Sequence, residues 1–404
     1  MRALLLAALG ACAAFAQPLP VSTPEKEGFS SERLERLHRH FDSLTSSGER
    51  PGAITMVVRG GRIVDWRAYG LRDVENRLPM ERDTIVHIYS MTKTVTSVAV
   101  MMLVEEGRLS LDDRVEKYIP EFKGLKVYKG GTVERPELEE LARPITVKHL
   151  LTHTSGLTYG WGNDNVSALY RKVDPLGARS LKEFIERLSR LPLAFQPGER
   201  YEYSVSIDVL GYLVEVVSGE PFDQFVEKRI TGPLKMPDTH FRLPEAKRPR
   251  LARIYSRREG KLVPQPGLQT GGVPYGGMGL YSTIGDYARF AQMLLNGGQL
   301  DGVRLLGRKT VDLMMMNHLA GLPRPTIGGD DADGFGLGGA VRIDVARSGR
   351  PASEGLFGWN GAASTFFRID RREKLALLVF MQWMPFDAAT LNLFETLVYQ
   401  ALVD

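Results

Sequence analysis

The chain predicts an α/β fold of the α+β kind, an antiparallel sheet flanked by helices with a largely helical unit inserted into it. Three observations predict it. Residues 54–58 and 63–69 are β-branched and aromatic runs joined around Gly60-Gly61, a pair that tolerates positive φ, so they form a hairpin. Residues 365–369 and 375–380 repeat that pattern across the charged turn 370–374. Between the two pairs, apolar residues recur at helical spacing instead. Strands this far apart in sequence share one sheet only if the middle of the chain is set aside. The division is an α/β unit of residues 22–75 and 270–404 and a mainly helical unit of residues 76–269.

The elements follow in order. Met1-Arg2 and the apolar run 3–16, ending Ala14-Phe15-Ala16, read as a signal peptide (residues 1–16) cut before Gln17, so the protein is expected to be exported, periplasmic or secreted. The run is too short to stay as a membrane span, and no transmembrane segment is expected later. The single cysteine, Cys12, lies in Leu9-Gly10-Ala11-Cys12, which weakly resembles a lipoprotein cleavage box; a lipid anchor at Cys12 is the alternative. Either way, the mature chain has no disulfide and depends on its core. Ser30 or Ser31 caps a helix carrying Leu34, Leu37, Phe41 and Leu44 and ending near Gly48. After an extended stretch at 85–89, Met91, Val95, Val98, Ala99, Met102 and Leu103 form one helical stripe that stops before Gly107. Ser180 and Glu183 open a helix over 181–191, and further helices fit 208–218, 286–295 and 388–403.

Composition narrows the function. The 404 residues are 43% hydrophobic and 25% charged, the balance of a globular protein with a large core. Lys and Arg number 52 against 48 acidic residues, and the excess of +4 is too diffuse to predict nucleic-acid binding. The basic stretch from Lys247 to Arg258 lacks the interleaved aromatics of a nucleic-acid module. No metal or cofactor is expected. His149 and His153 are four apart without a third ligand, and the acidic run 330–334 fails calcium-loop spacing. There is no Gly-x-Ser-x-Gly nucleophile elbow.

Three short strings can carry chemistry. Ser90-Met91-Thr92-Lys93 opens the stripe helix, so Ser90 has an outward N–H and Lys93 returns to the same face three residues on. A buried lysine gives up its charge readily and can take the serine proton without a histidine. Tyr201-Glu202-Tyr203 follows the turn Gln196-Pro197-Gly198, where either phenol could shuttle a proton beside the lysine. Gly358-Trp359-Asn360-Gly361-Ala362-Ala363 precedes a strand, and small residues at its edge let a ligand approach the backbone, so that the N–H of Ala362 could pair with that of Ser90 as an oxyanion hole. Taken singly, each string also fits an ordinary cap, a packed aromatic or a tight turn.

Together their order and spacing resemble the serine β-lactamase and penicillin-binding-protein superfamily, in its class C-like branch with the family VIII carboxylesterases. Residues 145–157, 276–283, 286–290 and 334–338 look like segments common in that group, and the resemblance spans nearly all of the mature chain. It implies a β-lactamase/transpeptidase-like fold with the active site between the two units. By resemblance Ser90 is the nucleophile, Lys93 its activating partner and Tyr203 the second acid/base. The N–H groups of Ser90 and Ala362 form the oxyanion hole, and Trp359, Asn360 and Gly361 bind substrate.

Two departures bear on the substrate. Class C β-lactamases carry Tyr-x-Asn, whereas position 205 is Val; they also carry Lys-Thr-Gly where this chain has Trp359-Asn360-Gly361. An aromatic face and an indole donor replace an ammonium, as in the Trp-x-Gly variant of family VIII esterases. The expected function is therefore an acyl-enzyme serine hydrolase of small-molecule carboxylic esters, with weak β-lactam hydrolysis. The alternatives are a class C-like β-lactamase, a D-Ala-D-Ala carboxypeptidase, an acyltransferase and a catalytically silent binding protein.

Overall fold

The computed structural model describes residues 18–267, 272–323 and 331–404. The expected signal peptide with Cys12, and Asp330 of the acidic run, lie outside the described residues. Among the described residues the sheet has eight strands: β1 (Gly52–Arg59), β2 (Arg62–Asp73), β3 (Leu78–Pro79), β4 (Asp333–Phe335), β5 (Ala340–Arg342), β6 (Phe357–Gly361), β7 (Thr365–Asp370) and β8 (Leu375–Met381). Their order is β4-β5-β6-β7-β8-β1-β2-β3, and every pairing is antiparallel. Strands from the two ends of the chain meet at β8 and β1, where Met56 faces Leu378 and Thr55 faces Val379.

Both faces of the central strands are covered, which is why β8 is buried from end to end and reads as an unbroken apolar run. On one face α1 (Ser31–Ser46) and α5 (Ala388–Tyr399) bring Leu37, Phe41 and Phe394 against Val57 and Val379. On the other, α2 (Thr92–Glu105) and α4 (Ile284–Leu295) pack Val95, Ile284 and Phe290 into the cluster that holds Met56 and Leu378. α3 (Ser206–Ser218) packs beside α2 and ends at Gly219, whose φ of 77° closes the helix. Ser30 and Thr283 cap α1 and α4, accepting from the N–H groups of Arg33 and Asp286. No helix among the described residues is long and apolar enough to cross a membrane.

The structure differs from the sequence reading in several places; the last helix, expected over 388–403, ends at Tyr399. α2 is buried all round from Thr92 to Leu103, where a one-sided stripe was expected. Two of its buried threonines bond to backbone: Thr94 Oγ1 donates to the Gly338 carbonyl (2.9 Å) and Thr96 Oγ1 to that of Gly276 (2.7 Å). The helix opened by Ser180 spans Leu181–Leu188 and so ends before residue 191. The middle of the chain also holds two hairpins that were not expected, Lys126–Gly131 with Pro136–Glu140 and Ile254–Arg258 with Lys261–Gln265. Their strands are rich in charge, glycine and proline, so backbone pairing defines them more than any apolar alternation.

Candidate active site

The segment entering α2 is held rigidly. Val86–His87 pairs with Tyr281–Ser282, and the buried His87 ring lies between those of Tyr89 and Tyr281, at centroid separations of 3.9 and 4.5 Å. Burial lowers the His87 pKa to about 4, so the ring stays neutral and its Nε2 donates to the Met278 carbonyl (2.7 Å). Tyr89 adopts a left-handed φ of 45°, and the tight turn Tyr89–Met91 follows it. That turn leaves Ser90 partly exposed at the mouth of α2.

One turn on, Lys93 is fully buried, and all of its donors are used. Its Nζ donates to Ser90 Oγ (3.3 Å), to the Tyr159 hydroxyl (2.9 Å) and to the Gly277 carbonyl (2.8 Å). Gly277 is a glycine for a local reason: a Cβ there would lie 2.4 Å from Oδ2 of Asp208, whose Oδ1 accepts the Gly277 N–H (2.8 Å). Asp208 is fully buried on α3, and its Oδ2 accepts from the Tyr159 hydroxyl at 3.4 Å. Burial raises the Asp208 pKa to about 6, against the opposing pull of the Lys93 cation. Burial, followed by the Asp208 charge, holds the Tyr159 phenol well above its ordinary value.

Tyr203 and Tyr201 are told apart by their contacts. The Tyr203 ring lies under the Lys93 ammonium, 4.6 Å from Nζ to centroid, and its hydroxyl accepts from Trp359 Nε1 (3.2 Å). Tyr201 packs on Phe335, while the His153 ring touches both tyrosines. His153, fully buried, sets the height of this strand-like entry to α3. Its Nδ1 accepts the Ser204 N–H (3.2 Å), and its carbonyl accepts the Glu202 N–H (2.9 Å). The sequence reading had the lysine beside the phenol of the second tyrosine; Lys93 meets the Tyr203 ring face, and the phenol on its ammonium is Tyr159.

The wall opposite comes from β6. Trp359 packs on Tyr203 and Phe335 at centroid distances of 5.4 and 5.2 Å. Its indole donor, expected to face substrate, is taken up by Tyr203. Asn360 corrects a second expectation. Alternation along β6 turns it to the other face of the sheet, where its Oδ1 accepts from Arg368 (2.9 Å), so its side chain does not line the site. Gly361 is fixed by close approach, since a Cβ there would lie 2.4 Å from the Ile88 carbonyl and 2.1 Å from Thr365 Oγ1. This contact brings the turn holding Ala362 beside the Ser90 segment, with Ala363 packed near Tyr89.

The fold therefore assembles Ser90, Lys93, Tyr203, Trp359, Gly361 and Ala362 at one place and adds three groups the sequence reading missed: Tyr159, Asp208 and the Gly277 carbonyl. Tyr159 sits in the stretch 157–161, Leu-Thr-Tyr-Gly-Trp, where it looks like loop; the exposed Trp161 stacks on it at 4.4 Å, within 8° of parallel. Asp208 reads as an ordinary first-turn helix acid, and only its burial marks it out. The site has what acyl transfer requires: a hydroxyl next to a buried amine, a second phenol and a strand edge.

Comparison with known proteins identifies the family. Residues 37–400 match the family described as Beta-lactamase. Esterase EstB of Burkholderia gladioli is 32% identical over 373 residues, covering 85% of this chain and 89% of that protein. The lovastatin esterase of Penicillium rubens is 30% identical over 369 residues, covering 83% and 89% respectively. The solved structure of the simvastatin synthase LovD of Aspergillus terreus superposes with a TM-score of 0.80 at 26% identity, covering 92% of this chain and 98% of that one.

Proposed function

The chain belongs to the Beta-lactamase family, and from that premise we propose that it is a serine hydrolase that cleaves carboxylic esters through an acyl-enzyme on Ser90. The observation that carries the reading is the fully buried Lys93 amine 3.3 Å from Ser90 Oγ. Lys93 takes the serine proton as Oγ attacks the ester carbonyl. The N–H groups of Ser90 and Ala362 hold the oxyanion, each contributing about 3 kcal/mol. Tyr203 protonates the leaving alcohol, and water then releases the acid by the reverse sequence. The site belongs at the junction of the helical unit (76–269), source of Ser90, Lys93 and Tyr203, and the sheet unit (22–75 and 270–404), source of Trp359, Gly361 and Ala362.

Esters are favoured over β-lactams because the wall at 359 is an indole already bonded to Tyr203 instead of an ammonium for an antibiotic carboxylate. The names of the two esterase relatives point the same way. The simvastatin synthase likeness keeps acyl transfer to an alcohol as a second reading, since the acyl-enzyme is common to both. Export with removal of residues 1–16, or lipid attachment at Cys12, is part of the same proposal. The intact mass of the protein recovered from its host distinguishes the two.

The test compares turnover of p-nitrophenyl butyrate and nitrocefin, with Ser90→Ala alongside. Ester turnover far above nitrocefin turnover, abolished in Ser90→Ala at an unchanged unfolding temperature, is the expected result. An Ser90→Ala protein that keeps most of its rate refutes the nucleophile. Nitrocefin turnover equal to or above ester turnover refutes the substrate class. Adding a primary alcohol and measuring transester against free acid separates hydrolase from acyltransferase.

A further inference from the structure

Lys93 can act as a base only after losing a proton, and the structure restricts where that proton can go. As an ammonium, its three hydrogens point at Ser90 Oγ, the Gly277 carbonyl and the Tyr159 hydroxyl. Ser90 is the group to be deprotonated, and an amide carbonyl does not pass a proton on. Tyr159 is different, because its own proton is directed at Oδ2 of the buried Asp208.

We propose that Asp208 is the proton reservoir of Lys93, reached through the Tyr159 hydroxyl. This rests on the reading of Ser90 and Lys93 given above. One Nζ–H bond of Lys93 breaks as a new O–H forms on Tyr159; the original Tyr159 O–H breaks as an O–H forms on Asp208. The ammonium and carboxylate become an amine and a carboxylic acid, Tyr159 ends as the phenol it began as, and no net charge enters or leaves the buried site. The neutral amine then accepts the Ser90 proton, and deacylation returns both protons to their places.

The surroundings favour such a swap. Lys93 faces Asp208 from α2, Tyr159 from the loop before residue 161 and Tyr275 from the glycine-rich turn, where the Gly277 N–H also points at the carboxylate. Tyr201 and Tyr203 flank Tyr159, and His153 lies on the Lys93 side. Burial disfavours a Tyr159 phenolate, so the two transfers are concerted. Asp208, with its pKa raised to about 6, holds a proton at little cost near neutrality and is ionised above that, ready to receive one. Asp208 and Tyr159 act on Ser90 only through Lys93, which Tyr159 contacts and Asp208 reaches through Tyr159. They are positioning residues for the Lys93 proton.

The experiment follows kcat for p-nitrophenyl butyrate from about pH 5 to about pH 9, with fluorophosphonate labelling of Ser90, in wild type, Asp208→Asn, Asp208→Glu and Tyr159→Phe. The wild-type rate should rise with pH as Asp208 ionises. In Asp208→Asn and in Tyr159→Phe, kcat and labelling should fall about 100-fold, and the acid limb should move up by more than about one pH unit, because the relay that takes up the Lys93 proton is then broken. Asp208→Glu should recover part of the rate and the original limb. If Asp208→Asn fails to fold, Tyr159→Phe alone decides, since it leaves the Gly277 to Asp208 bond in place. A rate within about threefold of wild type, or a lower rate on an unmoved pH profile, overturns the proposal. Loss of labelling in Ser90→Ala with these outcomes keeps the nucleophile reading intact; labelling that persists in Ser90→Ala shows that the parent reading is what failed.

Discussion

The Trp359 to Tyr203 hydrogen bond makes the role of the β6 wall measurable. Trp359→Phe removes one indole N–H, the donor 3.2 Å from the Tyr203 hydroxyl, and keeps a ring against Tyr203 and Phe335. A partly buried bond between neutral groups contributes about 1 kcal/mol net. If that bond aims the Tyr203 hydroxyl at the leaving group, kcat for p-nitrophenyl butyrate should fall about fivefold, since about 1.4 kcal/mol corresponds to a factor of ten. Tyr203→Phe removes the acid/base itself and should lower kcat by about 100-fold or more. The double variant separates aiming from packing. With no hydroxyl left to aim, Trp359→Phe should have little further effect in a Tyr203→Phe background, giving a coupling energy of about 1 kcal/mol. Additive effects, with coupling below about 0.3 kcal/mol, would refute the reasoning and leave Trp359 as a wall only.

Two further predictions follow from close approaches and burial. Gly361→Ala places a methyl 2.4 Å from the Ile88 carbonyl, so β6 and the Ser90 segment must separate. Displacing the oxyanion donors should lower kcat about 100-fold, with an overpacking cost of about 1–3 kcal/mol in urea unfolding, and a near-wild-type rate would show that Ala362 is not a donor. Asp286 on α4 is buried, accepts from the Asp238 N–H and Thr239 Oγ1, and has its pKa raised by burial from 3.8 to about 7. The unfolded chain therefore releases this proton first, so the Asp286 contribution makes the fold less stable as pH rises from about 4 to about 7 and levels off above that. Asp286→Asn lacks this dependence, and its stability relative to wild type should improve by about 2–3 kcal/mol between about pH 5 and about pH 8. An unchanged difference in urea unfolding at the two pH values would show that Asp286 is not buried as a neutral acid.

Much of the architecture was readable locally. The β-branched runs around Gly60-Gly61 and 370–374 become β1, β2, β7 and β8, and capped periodic segments become α1, α3 and α4, because turn chemistry and period are properties of neighbouring residues. The charged hairpin at Lys126–Gly131 escaped that logic, as its pairing depends on backbone partners. At the site, the Ser90 and Lys93 adjacency follows from spacing on one helical turn and appears as a 3.3 Å contact.

Neighbouring residues thus encode the local part: which segments are helix or strand, that Lys93 stands one turn from Ser90, and that position 359 carries an indole and no ammonium. Tertiary structure decided which distant groups complete the site. Tyr159 lies 66 residues from Lys93 and Gly277 lies 184, yet both accept hydrogen bonds from its Nζ. Asp208 is an ordinary helix acid until packing removes its water, and Asn360 faces away from the site because the pleat of β6 alternates. Burial and long-range proximity are properties of the packed chain, and no local pattern encodes them.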